Sequence, residues 1–196
     1  MRRVAGIFVG LAAATIVSLG VTFSLAKAPS LDSGVPVGGM LLSFRPRHLS
    51  GPDKGTDTCP LCQYPANPAV QVWVNGDDEN NVEAIATRLE KASADYGTKK
   101  LKTFIVYVNA THQAEALFTQ PIQKLAEKRK YHHVALTYVH SGDSSAVTDN
   151  QINVDPKIRN TIFVYKARKV TAKFVNLTAS PRDLEALTIA MEHVVK

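Results

Sequence analysis

The two cysteines of this 196-residue chain stand three positions apart, in Cys59-Pro60-Leu61-Cys62. That spacing suits three chemistries: a disulfide that exchanges with other thiols, a short structural staple, or two thiolate ligands of a soft metal. As a staple it is modest, because closing a loop of four residues stabilises a fold by only about 2 kcal/mol in the chain-entropy model. As metal ligands the thiolates need partners, and His48 is the only histidine near them in sequence. Cys59, Cys62 and His48 would then suit a soft ion such as Cu(I). No histidine directly follows Cys62, so the haem-attachment pattern of c-type cytochromes is absent.

A catalytic thiol also needs a lowered pKa, often supplied by the N-terminus of a helix that the cysteine begins. Here Cys62 is followed by Gln63, Tyr64, Pro65, Ala66, Asn67 and Pro68. Two prolines so close together predict that no ordinary helix starts at the motif. Arg45, Arg47, His48 and Lys54 offer positive charge if they fold back, and Asp53 and Asp57 oppose them.

The other ionisable groups carry less. His132 and His133 are adjacent at the start of an expected strand, so they point to opposite faces. His112 and His140 stand at loop ends. Asp143, Asp149 and Asp155 match no calcium-loop spacing and read as solvated acids.

Residues 1–28 decide the compartment. Met1-Arg2-Arg3 precedes an uncharged run from Val4 to Ala26, and Ser24-Leu25-Ala26 offers small residues for cleavage. The run also reaches the roughly 20 residues that span a bilayer, so residues 4–26 read as a signal peptide or an N-terminal membrane anchor. Either way Arg2 and Arg3 keep the N-terminus inside, and the rest of the chain is expected to be exported, periplasmic or secreted. Without residues 1–28 the charge falls from +6 to +3, with 20 cations against 17 acids. That balance favours solubility and gives no reason to expect nucleic acid as a partner.

The elements that must position the cysteines follow from periodicity. Residues 29–39 carry Pro29, Gly34, Pro36, Gly38 and Gly39 and read as a flexible lead-in. Residues 40–196 read as one domain, with 40–68 an N-terminal extension carrying CPLC. Ser43 to Gly51, with Phe44, Arg45, Pro46, Arg47 and His48, suggests an edge strand and turn of an N-terminal hairpin. Ala69–Val74 alternates as a strand, and Val82, Ile85, Ala86, Leu89 and Ala92 form one helical stripe that Gly97 ends. Leu101–Val108 is a buried strand. Ala114, Leu117, Phe118, Ile122 and Leu125 mark the inner face of a second helix that Pro121 should kink or interrupt. Val134–Val139 is a further strand, and Ser141 to Asp155 reads as irregular. Thr161–Tyr165 and Val170–Val175 form a hairpin joined by Lys166 to Lys169, and Ser180-Pro181 opens a final helix.

The order β-α-β-α-β, then a hairpin and a helix, together with Ile158-Arg159-Asn160-Thr161-Ile162-Phe163-Val164-Tyr165 and Lys169-Val170, resembles the thioredoxin-like superfamily. The resemblance is to its larger members, the peroxiredoxins and exported thiol-disulfide oxidoreductases. It implies an α/β fold with a central mixed sheet flanked by helices. It also implies protein thiols or disulfides as partners, no cofactor, and Cys59 as the attacking thiol, since the family uses its first cysteine.

Three departures qualify what it implies. The family's active cysteine follows the first core strand, where this chain has Asn75-Gly76-Asp77-Asp78-Glu79. The family's cis-proline corresponds to Asn160. CPLC itself lies upstream of the first core strand, so the simplest geometry puts it at the opposite pole of the sheet. The reading is therefore a thioredoxin-like protein with a redox role through Cys59 and Cys62. A non-catalytic binding module with a structural disulfide and a soft-metal-binding protein are its rivals.

Overall fold

Pro68–Val74 is rich in β-formers and buried along its whole length, as a central strand must be. In the computed structural model, which describes residues 31–97, 100–140 and 143–196, this strand is β2. Before it come β1 (Arg47–His48) and α1 (Pro60–Gln63). After it come α2 (Glu79–Tyr96), β3 (Lys102–Val108), α3 (Glu115–Arg129), β4 (Val134–Val139), α4 (Ser144–Asp149), β5 (Asn160–Lys166), β6 (Lys169–Val175) and α5 (Pro181–Val195). The export segment expected over residues 1–28 lies outside the described residues.

The sheet order is β1-β4-β3-β2-β5-β6. The helix-joined strands β2, β3 and β4 run parallel, while β1, β5 and β6 pair antiparallel with their neighbours. This is the mixed sheet expected of the thioredoxin-like fold.

Period-two alternation divides the core between the two faces. Val70, Val72 and Val74 of β2, with Ile105, Leu136, Ile162 and Val164, meet α2, α3 and α5. Ala69 and Trp73, with Phe104, Val106, Phe163 and Tyr165, meet the N-terminal extension, α1 and α4. Gln71 is also buried on that second face, where it donates to the Tyr165 hydroxyl (3.0 Å) and accepts from the Trp73 indole (3.3 Å). A buried amide so paired avoids the cost of an orphaned polar group.

The helix ends follow the sequence signals. Asp78 caps α2 by accepting from the Asn80 and Asn81 amides, and Gly97 ends it at φ +74°, where a side chain would be strained. Ser180 caps α5, with Pro181 at the first helical position.

Four elements differ from expectation. Helix α3 runs through Pro121 without a break. Leu117, expected on the inner face, is 69 % exposed, so the carbonyl that Pro121 cannot bond belongs to a solvent-side residue. The stretch expected to be irregular contains α4, capped by Asp143. The hairpin link is a two-residue turn, Ala167-Arg168, with both residues at positive φ. That geometry matches the twist of the flanking strands.

The fourth is the stretch read as a flexible lead-in, in which Ser33, Gly34 and Val35 are buried. Gly34 and Val35 donate to the carbonyls of Gln151 and Asn150, and Leu41 donates to that of Arg168. Glycine is required at 34, because a Cβ there would stand 2.3 Å from the Phe163 ring. Leu31–Lys196 accordingly makes one compact unit. Residues 47 and 48 form an edge strand, as expected, antiparallel to β4, and His48 also exchanges backbone hydrogen bonds with Gly55 and Thr56.

Candidate functional site

Contrary to the expectation from Pro65 and Pro68, one helical turn does form at the motif. Pro60 opens α1 at a position that has no use for an amide hydrogen, and Tyr64 closes it before Pro65. Cys59 is the cap of this turn, and its sulfur accepts a hydrogen bond from the Cys62 amide at 3.1 Å. The two cysteines are joined in a disulfide, with Cα atoms 5.3 Å apart.

The two residues differ in access. Cys59 is buried, 6 % exposed, in the cluster that holds Phe44, Trp73 and Phe104. Cys62 lies at the surface. Between them Leu61 is fully buried and fixes the turn to the core. Cys62 is thus the more exposed of the two residues, whereas the family resemblance implied Cys59, the first cysteine, as the attacking thiol.

The segment leading into the turn is tied to β1. The His48 Nε2 bonds the Thr58 carbonyl at 2.9 Å, and Arg47 pairs with Asp57 at 3.5 Å. Burial holds the His48 imidazole below its ordinary pKa, overriding the Thr58 bond. Neither residue is thus free to lend positive charge to a thiolate: Arg47 is paired, and His48 favours its neutral form. His48 also engages Nε2 with Thr58, and its Nδ1 is buried without a partner. Among the described residues, no group of three His, Cys, Asp or Glu side chains is placed to hold a metal ion.

Past the turn, Lys102 lies over the Tyr64 ring, 4.4 Å from its centre. Burial raises the Tyr64 phenol and lowers the Lys102 ammonium. Since Lys102 opens β3 and is in register with Ala69, the motif sits at the pole where the parallel strands begin.

The opposite pole is closed by amides. Asn160, at the position of the family's proline, donates to Asp77 Oδ2 (2.6 Å) and to the Leu177 carbonyl (2.9 Å), and it accepts from the Leu177 amide. Asn81 donates to the same two acceptors. Asn75 binds the carbonyls of Asp155 and Ile158. A cavity of about 200 Å³ opens beside them, lined by Val74, Asp77, Tyr107 and Phe118 among others, and no cysteine lines it. Two of the loop acids act as local ties: Asp143 caps α4, and Asp155 accepts from the Lys157 amide. His132 and His133 offer backbone amides, not rings, to the Glu90 carboxylate.

No protein-family model matches this sequence, nor does any curated protein. Solved structures do match in fold. An uncharacterized conserved protein from Geobacillus kaustophilus aligns with a TM-score of 0.62 at 14% identity, covering 86% of this chain and 87% of its own. The thioredoxin domain of a thiol-disulfide oxidoreductase from Bacteroides vulgatus gives 0.58 at 15% identity, covering 83% and 99%. A thiol peroxidase from Chromobacterium violaceum gives 0.55 at 13%, covering 82% and 88%. The protein therefore has the thioredoxin-like fold. At these identities the likeness establishes the fold and leaves function to the site.

Proposed function

We propose that the domain exchanges thiols and disulfides with other proteins through Cys59–Cys62. The observation that carries this is the asymmetry of the pair: an exposed Cys62 bonded to a buried Cys59 whose sulfur already accepts an amide hydrogen bond.

In the oxidising direction a substrate thiolate attacks the Cys62 sulfur. The Cys59–Cys62 bond breaks, and its electron pair leaves on Cys59, where the Cys62 amide stabilises the thiolate. The substrate is then held to Cys62 as a mixed disulfide. A second substrate thiolate attacks the substrate's own sulfur and releases Cys62 as thiolate. The substrate has lost two electrons and the domain has gained them. In the reducing direction Cys62 attacks a substrate disulfide and Cys59 resolves the mixed species. Burial raises the energy of a Cys59 thiolate, and the single amide bond offsets part of that.

This reading includes export: residues 1–28 serve as signal peptide or as an anchor through residues 4–26, and place the pair in an oxidising compartment. The test is the reduction potential of the pair, by thiol trapping in defined glutathione or dithiothreitol buffers. A value between roughly −120 and −270 mV matches exchange proteins. A value below about −300 mV marks a structural bond and transfers the reading to a binding module.

A further inference from the structure

At the pole that carries Cys62, the N-terminal extension and the β5–β6 turn together build a surface with two kinds of side chain. The Val170 amide donates to the Gly39 carbonyl, the Gly38 amide to the Val170 carbonyl, and the Leu41 amide to that of Arg168. Met40 and Lys169 bridge in antiparallel register. Leu41 points inward, 1 % exposed, so its neighbours Met40 and Leu42 point out, at 51 % and 47 %, and Val37 at the preceding turn is 60 % exposed. Beside them the turn presents Lys166, Arg168 and Lys169, and no salt bridge among the described residues involves any of the three. Lys166 is in register with Pro68 at the start of β2, which puts this surface at the end of the sheet where α1 lies.

We propose that this surface docks on an anionic phospholipid bilayer. Unpaired cations set among exposed aliphatic side chains are the complement of lipid headgroups over acyl chains. A protein-binding centre would instead be expected to offer a buried aromatic or arginine anchor in a pocket. Docking would hold Cys62 near the membrane and favour thiols of membrane proteins as substrates.

The test uses residues 29–196, which contain the compact unit Leu31–Lys196 and lack the apolar run, so the result does not depend on anchoring or on redox activity. Co-sedimentation with phosphatidylcholine vesicles, with and without phosphatidylglycerol, is the readout. The expected result is binding only to the anionic vesicles, lost at high salt. Replacing Lys166, Arg168 and Lys169 by Gln should weaken it roughly a hundredfold, at about fivefold for each cation. Replacing Val37, Met40 and Leu42 by Ser should weaken it while keeping its salt dependence. Equal binding to both vesicle types, no binding, or wild-type binding by the triple Gln variant overturns the proposal. Retention by immobilised polyglutamate without vesicle binding overturns it in favour of an acidic protein partner.

Discussion

The Cys62 amide donates to the Cys59 sulfur across 3.1 Å, so the second cysteine of the motif stabilises the first while itself facing solvent. After reduction, Cys62 is expected to be alkylated first and Cys59 much more slowly. Peptide mass mapping after a short iodoacetamide pulse reads the order directly. Cys59→Ser should still form a mixed disulfide with glutathione, and Cys62→Ser should not.

Leu61 is the buried residue between the two cysteines. Leu61→Ala leaves a cavity under α1 and should cost about 3 kcal/mol in denaturant unfolding. The same change should speed alkylation of Cys59 in the reduced protein, because the turn loses its attachment to the core. A stability loss without faster alkylation would mean that the β1 ties hold the turn alone.

His48 makes stability depend on pH. Burial depresses its pKa in the folded state, and unfolding returns it to the ordinary value of 6.5. The unfolded chain therefore takes up a proton that the folded chain refuses, and stability falls as pH drops below about 6.5. Asp32 and Glu115, held below the usual carboxylate range by hydrogen bonds from Lys173 and Tyr138, contribute only at more acidic pH. Urea midpoints across this range should decline in the wild type and decline less in His48→Gln.

Asn160 joins β5 to Asp77 and Leu177 at the far pole. Asn160→Ala leaves the Leu177 amide and carbonyl without these partners and should cost about 1–3 kcal/mol. The reduction potential of Cys59–Cys62 should not move, since the pair lies at the other end of the sheet. A shifted potential would show that the two poles are coupled.

Much of this architecture was legible because it is written locally. Asp78 and Gly97 bracket α2, Ser180-Pro181 opens α5, and the apolar strands alternate or run unbroken as their burial requires. What escaped depends on distant partners. Helix α4 buries only Ala146 and takes its place from Asn150, which bonds Leu42. Ala167 and Arg168 adopt positive φ without being glycine because the strands on either side impose the turn. At the site, the spacing of the cysteines was plain, but which of them faces water was not. That follows from Leu61 and Cys59 sharing a cluster with Trp73 and Phe104, a contact no local pattern announces.

The extension also sets an order on biosynthesis. Leu42 and Asn150 bond each other across 108 positions. At about 5–20 residues per second, Asn150 leaves the ribosome roughly 5–20 s after Leu42. Cys59 and Cys62 need no such wait, being neighbours in sequence. Their bond can close on an unfinished chain, whereas the segment just ahead of them stays vacant-handed until the last third of the protein emerges.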